Sequence, residues 1–473
     1  MKMRIEKDLL GELEVPADAY YGVHTQRAVQ NFNISGRKMN PALIRGMAIV
    51  KKACCLANAE LELIDKKKAD AIIQVCDEII GGKLADQFPV DALQGGAGTS
   101  TNMNLNEVIA NRANELLGGK KGDCRPVDPI EDVNLNQSTN DVYPTALKVA
   151  AIYKFRELSQ AVAVLQGAFQ KKEKEFARVV KIGRTELREA VPMTLGAEFS
   201  AFAEAFARDR WRTFKCEERL RQINLGGTAV GTGLTAPRSY IFLVSDKLRE
   251  LTGFGLARGE NMVDQTANSD AFVEVSGILK ACASNLIKIS NDLRLLSLLG
   301  EIRLPALQAG SSVMPGKVNP VMLEAAMQAG LEVIARDGLV TEAASRASLQ
   351  INEFLPLLAD ALLGSIDILL NIVPRLATHV EGIKADEARC REYLEKDPML
   401  ITALLPVVGY KKAQELLKDF EASGKDNLRI FLEGKLGKET VDKAFSPEYL
   451  TALGYKNGDV PKGDTPCKKP FFN

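Results

Sequence analysis

The 473-residue chain is longer than a single compact core usually is, which favours two or three domains or an elongated helical bundle. Its 61 lysines and arginines balance its 61 aspartates and glutamates, so no net charge draws the chain to nucleic acid or to anionic lipid. The charge of any substrate must therefore be met by local groups.

Sequence signals for export, membrane insertion and metal binding are weak. Residues 1–8 are charged and lack the apolar run of a signal peptide. The most apolar later stretch, 355–373, contains two aspartates, so we expect a buried helix rather than a membrane span. Eight cysteines include no C-x-x-C pair, and His24 and His379 offer no zinc spacing. We expect a soluble, cytoplasmic protein with reduced cysteines and no metal.

Helical signals begin after a Pro- and Gly-punctuated segment, residues 1–40. Asn40 is a good cap for a helix with Pro41 at its first position, and a second helix is expected over 66–80, ended by two glycines. The apolar residues of the first helix repeat at steps of four and three: Leu43, Met47, Val50, Cys54 and Ala57.

Polar clusters follow at two predicted helix starts. The glycine-rich run 94–102 allows close backbone approach and carries the Thr99 hydroxyl, but it lacks the Lys-Ser/Thr pair of a phosphate loop. On residue types alone, a turn that starts a helix explains this run equally well. In the second cluster, Ser138, Thr139 and Asn140 suit helix caps, and a helix N-terminus with spare hydroxyls also suits a carboxylate.

Long apolar-faced helices dominate the middle of the chain, where we expect 141–177, 195–223, 270–296, 321–344 and 346–373, with a kink at Pro356. The apolar seam of the third runs through Val275, Leu279, Cys282, Leu286, Ile289, Leu293 and Leu296. These patterns predict an all-α fold with an N-terminal domain over 1–139, a central bundle of about five long helices over 140–390, and a small C-terminal domain over 391–473.

The segment 310–320 concentrates the most chemistry in the chain. Ser311, Ser312, Lys317 and Asn319 place two hydroxyls, an ammonium and an amide within nine residues. Glycines and prolines deny this segment a helix, so its backbone N–H groups can face an anion, and a loop of this length can close over a substrate.

This segment, GSSVMPGKVNP, resembles the signature loop of the aspartase/fumarase superfamily. The runs GGAGTSTNMN, QSTND and GRTEL resemble three further motifs of that family, and the resemblance covers about residues 4–450, closest to the aspartase branch. It implies that Ser311 is the base that removes a proton next to a carboxylate. The implied substrate-binding residues are Thr99, Ser138, Thr139, Asn140, Thr185, Glu186, Ser312, Lys317 and Asn319.

The resemblance also implies a reaction and an assembly. The expected activity is reversible elimination of ammonia from L-aspartate to give fumarate, with a small dicarboxylate substrate and no organic cofactor. The expected partner is the chain itself, in a homotetramer whose active sites each draw on three subunits. Fumarate hydration, a lyase for another amino or N-substituted succinate, and a non-catalytic structural member remain as alternatives.

Two departures from the family bear on the substrate. Many members carry histidine where this chain has Glu186, and the connection between Leu296 and Glu301 is shorter than usual. The absent histidine counts against fumarate hydration. Glu186 is either protonated, through burial and a nearby acid such as Glu324, or ionised and paired with the substrate ammonium or with Arg188.

Overall fold

The computed structural model describes residues 2–454, in which helices predominate. Atomic contacts divide the chain into two compact units. Unit 1 comprises the described part of Met1–Ala161 with Asp209–Ser284 and Gln328–Ile372, and unit 2 comprises Val162–Arg208, Asn285–Met327 and the described part of Val373–Asn473. The predicted domain boundaries at 139 and 390 were drawn from helical patterns in the sequence, whereas the two units are defined by contacts, so the boundaries stay a prediction.

The strands described in the structure form two-stranded sheets. Three of the sheets are antiparallel: β1 (Met3–Asp8) with β2 (Gly11–Pro16), β3 (Val180–Thr185) with β4 (Arg188–Thr194), and β7 (Ile302–Arg303) with β8 (Lys384–Ala385). The remaining sheet is parallel and pairs β5 (Gln222–Ile223) with β6 (Ala257–Arg258).

The α-helices of the described chain are, in order, α1 (Val23–Asn31), α2 (Pro41–Glu60), α3 (Lys66–Ile80), α4 (Thr99–Leu116), α5 (Thr139–Glu175), α6 (Leu195–Arg219), α7 (Arg238–Thr252), α8 (Met262–Ala267), α9 (Asp270–Leu299), α10 (Val321–Ser345), α11 (Leu355–Glu381), α12 (Glu387–Lys396), α13 (Leu405–Ala422), α14 (Leu428–Leu436), α15 (Lys438–Ala444) and α16 (Pro447–Leu450). Short 3₁₀ helices cover Ala85–Gln87 and Pro398–Leu404.

The all-α prediction is confirmed, since the strands are few and short. The Asn40 side chain caps α2 by accepting a hydrogen bond from the Ala42 N–H at 2.9 Å, as its position predicts. The expected bounds of α3, 66–80, match the observed helix. All seven residues of the α9 seam are buried, at most 4% exposed, so periodicity located this face correctly.

Two local predictions were wrong. Pro356 lies in the first turn of α11, where its missing N–H has no helical partner to lose, so it starts the helix instead of kinking it. Residues 346–354 are not helical. Within residues 1–40, the β1–β2 hairpin and α1 form although the segment lacks helical periodicity, because hairpin pairing and tertiary contacts supply what local propensity does not.

The apolar helix and the cysteines behave as core elements. By length and composition alone α11 could cross a membrane, but 56% of its most apolar window is buried within the chain. The seven cysteines within residues 2–454 form no disulfide, and six of them are buried. The eighth, Cys467, lies outside the described residues.

Candidate active site

The signature loop lies in unit 2, between β7 and α10, and hydrogen bonds join its two ends. The Gly310 N–H donates to the Lys317 carbonyl at 2.7 Å, and the Asn319 side-chain amide donates to the Gly310 carbonyl at 2.8 Å. Asn319 therefore braces the loop in this structure. The loop itself is exposed, with Lys317 at the surface of the chain.

The Ser311 side chain closes a local turn within the loop. Its hydroxyl oxygen accepts from the Val313 N–H at 3.1 Å and from the Met314 N–H at 2.9 Å. Both donors stabilise negative charge on the oxygen, and donors to a charged form favour that form. Donors of this kind would stabilise a serine alkoxide, the form in which a serine acts as a base.

The GRTEL motif ends one strand of the β3–β4 hairpin. Thr185 pairs with Arg188, and the two residues of the turn, Glu186 and Leu187, have left-handed backbones with φ of 52° and 62°. This geometry favours Asn or Gly, so two larger residues there store strain of a kind often found at functional sites. The exposed turn presents Thr185 and Glu186 to solvent.

Both interpretations of Glu186 stay predictions. Glu186 is exposed in this structure. Among residues 2–454, no ion pair joins Glu186 to Arg188. An exposed carboxylate at a hairpin tip remains free to accept a hydrogen bond from a cationic substrate.

A buried ion network holds the base of the same hairpin, and sequence reasoning did not find it. Glu301 is fully buried and pairs with Lys181 at 2.8 Å and with Arg184 at 2.6 Å. Lys181 also pairs with Glu198 at 2.7 Å. Glu301 directly follows the shortened connection, so this network ties β3 to the segment that leads into the signature loop. A charged residue at the end of α9 carried no local sign of burial.

In unit 1, the glycine-rich loop leads into α4. Gly98 has φ of 93°, and a Cβ there would lie 2.2 Å from the Tyr143 ring, so only glycine fits. The Thr99 hydroxyl donates to the Gly96 carbonyl at 2.7 Å. In this structure Thr99 therefore closes the turn that starts α4.

The QSTND motif forms the start of α5, as predicted. The Ser138 hydroxyl oxygen accepts from the Asn140 N–H at 3.2 Å, while the Ser138 N–H donates to Asp141 at 2.9 Å. Asp141 is fully buried and also accepts from the Gly226 and Thr228 N–H groups at 3.1 and 3.0 Å. Burial nevertheless raises the pKa of Asp141 to about 7.

A buried lysine lies beneath this motif. Lys51 of α2 is 1% exposed and donates to the side-chain oxygens of Asn134 and Gln137. Burial lowers the pKa of Lys51 to about 8. Sequence reasoning missed this residue, although one signal was available: Lys51 lies four residues after Met47, in the row of the predicted buried face.

The predicted residues thus fall into two sets. Unit 1 holds one set, in which Asn102 of α4 donates to the Thr139 hydroxyl and so brings the starts of α4 and α5 together: Thr99, Ser138, Thr139 and Asn140. Unit 2 holds the other, on the hairpin tip and the signature loop: Thr185, Glu186, Ser311, Ser312, Lys317 and Asn319. Across residues 2–454, no group of three or more His, Cys, Asp or Glu side chains is arranged to hold a metal ion.

Comparison with known proteins decides the family. A family model described as "Lyase" matches residues 11–335. The chain is 45% identical over 459 residues to an aspartate ammonia-lyase of Bacillus sp., covering 96% of this chain and 98% of that protein. It is 46% identical over 457 residues to an aspartate ammonia-lyase of Helicobacter pylori, covering 95% and 98%. The chain belongs to the aspartase/fumarase superfamily of lyases.

Solved structures of this family share the fold. A fumarate lyase:delta crystallin from Brucella melitensis, bound to cobalt, superposes with a TM-score of 0.91 at 46% identity, covering 95% of this chain and 99% of that chain. A class II fumarase from Schistosoma mansoni gives 0.89 at 32% identity, covering 94% and 98%. The resemblance drawn from the motifs is confirmed over nearly the whole chain.

Proposed function

We propose that this lyase deaminates L-aspartate reversibly to fumarate and ammonia. The aspartate ammonia-lyases that it resembles over nearly their full length support this reaction. The observation in the structure that supports it best is the pair of backbone N–H groups aimed at the Ser311 oxygen, at 3.1 and 2.9 Å. In the proposed reaction these donors stabilise the serine alkoxide that acts as the base.

In the proposed mechanism one base removes a proton, and hydroxyl donors stabilise the charge that develops. Ser311 takes the proton from the carbon beside one carboxylate, which becomes a dianionic aci-carboxylate before ammonia leaves. That charge develops on two oxygens, so fixed donors there lower the barrier most. The donors that we assign to this carboxylate are the hydroxyls of Ser138, Thr139 and Ser312, together with that of Thr99, which must first release the Gly96 carbonyl.

The remaining groups hold the rest of the substrate. We assign the second carboxylate to Lys317 and Asn319, and the amino end to Asn140, Thr185 and Glu186. We infer that a complete site forms in a cytoplasmic homotetramer. Large apolar side chains exposed on long helices support self-association, including Trp211 of α6, which is 60% exposed.

One assay separates the candidate reactions. Ultraviolet absorbance follows fumarate formed from aspartate, with malate as the competing substrate. We expect aspartate to react and malate not to react, because Glu186 offers an acceptor for an ammonium group. Turnover of malate alone would make the protein a hydratase. Turnover of neither would direct attention to another amino or N-substituted succinate, or to a non-catalytic role.

Lys317→Ala is expected to weaken substrate binding and turnover together. The change removes a cation from the proposed carboxylate contact, and hydrogen bonds to charged groups contribute about 1.5–3 kcal/mol, so kcat/KM should fall by about 10- to 100-fold. Steady-state kinetics with aspartate measure the loss. Lys412→Ala, at an exposed lysine paired with Glu415, is the control. Unchanged kinetics for Lys317→Ala would place Lys317 outside the site.

Glu186→Gln is expected to raise the KM for aspartate by about tenfold and to flatten the pH profile, because glutamine accepts less strongly from an ammonium than a carboxylate does. Glu189→Gln on the same hairpin is the matched control. Full aspartate activity with a gain at alkaline pH would show instead that Glu186 works in its neutral form and is imitated by glutamine.

A further inference from the structure

A chain of hydrogen bonds in unit 1 runs from Lys51 to the hydroxyl of Thr139. The Lys51 ammonium donates to Gln137 Oε1 at 3.1 Å and to Asn134 Oδ1 at 3.4 Å. No carboxylate within residues 2–454 lies at ion-pair distance from Lys51. The cation is thus fully buried and held only by amide oxygens.

The lysine and a backbone carbonyl together set the direction of the hydrogen bonds that follow. An ammonium group has donors and no acceptor, so Asn134 must turn its oxygen toward Lys51. The same oxygen accepts from Asn102 Nδ2 at 3.1 Å and from Asn106 Nδ2 at 3.2 Å. The Asn134 amide donates to the Gln137 backbone carbonyl at 3.2 Å, and because a carbonyl only accepts, this bond favours the same orientation. The opposite orientation of the Asn102 amide would set two carbonyl oxygens 3.1 Å apart.

The direction set at Asn134 reaches Thr139. The second proton of Asn102 Nδ2 is donated to Thr139 Oγ1 at 3.1 Å. Because that oxygen accepts, the Thr139 hydroxyl proton must point away from Asn102. Across residues 2–454, no acceptor takes this proton. Thr99 differs, since its proton is engaged by the Gly96 carbonyl.

Thr139 is also the first residue of α5, where the positive end of the helix dipole lies. A hydroxyl proton held outward there adds to a field that already favours an anion. A donor oriented before substrate arrives needs no reorganisation when charge develops, which is the condition for a large catalytic effect.

We propose that Lys51, acting through Asn134 and Asn102, holds the Thr139 hydroxyl as a donor to the carboxylate that takes up charge in the reaction. Lys51 and Asn102 are positioning residues, since neither is placed against the substrate. The inference rests on the proposed function, because it requires a dicarboxylate at the start of α5.

Lys51→Met tests the inference, because methionine keeps an unbranched side chain and removes the donor. The probes are succinate, which resembles the ground state, and the ionised nitronate of 3-nitropropionate, which carries charge on two oxygens as the aci-carboxylate does. Calorimetry should show nitronate affinity lowered about tenfold or more and succinate affinity changed less than about threefold, with kcat for aspartate lowered about tenfold. Equal losses for both probes, or no loss, would overturn the inference.

Thr139→Val shows whether the effect passes through Thr139. In that background, Lys51→Met should change kcat by less than about twofold, since the proton that it orients is gone. If the two substitutions lowered kcat by factors that multiply in the double variant, Lys51 would act independently of Thr139 and the inference would be wrong. Lys52→Met is the control, because Lys52 is the neighbouring residue of α2 and pairs with Asp77 at 2.6 Å. If Lys51→Met does not fold, Asn102→Leu removes the last donor of the chain and carries the same test.

The binding measurements separate this inference from the proposed function. If the wild type binds both probes but does not deaminate aspartate, the proposed reaction fails, and the selective loss of nitronate affinity still decides the role of Lys51. If the wild type binds neither probe, both proposals are wrong.

Discussion

Ser311→Ala is expected to lower kcat for aspartate by about 10³-fold or more, because alanine cannot take a proton and no other side chain of the loop offers a base. The Val313 and Met314 N–H groups would remain in place with no oxygen to stabilise. Steady-state and single-turnover measurements of fumarate formation report this loss directly.

The fold should tolerate Ser311→Ala. Ser311 lies on an exposed loop, so in the variant water can accept the hydrogen bonds of the Val313 and Met314 N–H groups. The free energy of unfolding should therefore change by less than about 0.5 kcal/mol. Ser284→Ala, at an exposed serine of α9, serves as the control. Turnover within about tenfold of the parent, a step of about 1.4 kcal/mol, would exclude Ser311 as the base.

Glu301→Leu is expected to destabilise unit 2 by about 3–5 kcal/mol, because it leaves the buried charges of Lys181 and Arg184 without their shared partner. Lys181 is only 2% exposed and would retain Glu198 alone. A lower urea midpoint measures the loss, and faster hydrogen exchange in β3 locates it.

Glu189→Gln provides the comparison for Glu301→Leu. Glu189 also pairs with Arg184, at 3.7 Å, but its side chain is 46% exposed, so water screens the pair and its loss should cost less than about 1 kcal/mol. Equal effects of the two substitutions on stability would mean that burial does not decide the strength of this network.

Helices with strong local signals could be predicted from the chain. The Asn40 cap, the two glycines after α3 and the α9 seam each act through neighbours within four residues, so the pattern and the structure agree. Pro356 was misjudged because the same residue starts or kinks a helix according to where the helix begins. That boundary depends on contacts made by distant residues.

Sequence motifs named the candidate catalytic loop but not the groups that support it. Ser311, Lys317 and Asn319 stand within one short segment whose glycines and prolines exclude a helix. Glu301 looks like an ordinary surface charge in the sequence, and Lys51 is marked only by its place on the apolar face of its helix. Their partners are far along the chain, 117 residues for Arg184 and 83 for Asn134.

The sequence by itself determined the helical class, most helix bounds and the family of this protein, because capping, periodicity and short motifs depend on residues close together in the chain. Only the tertiary structure decided which charges are buried and which way each hydrogen bond points. Both depend on desolvation and on donors from other elements, as with the Thr139 hydroxyl oxygen, which accepts from Asn102 of α4.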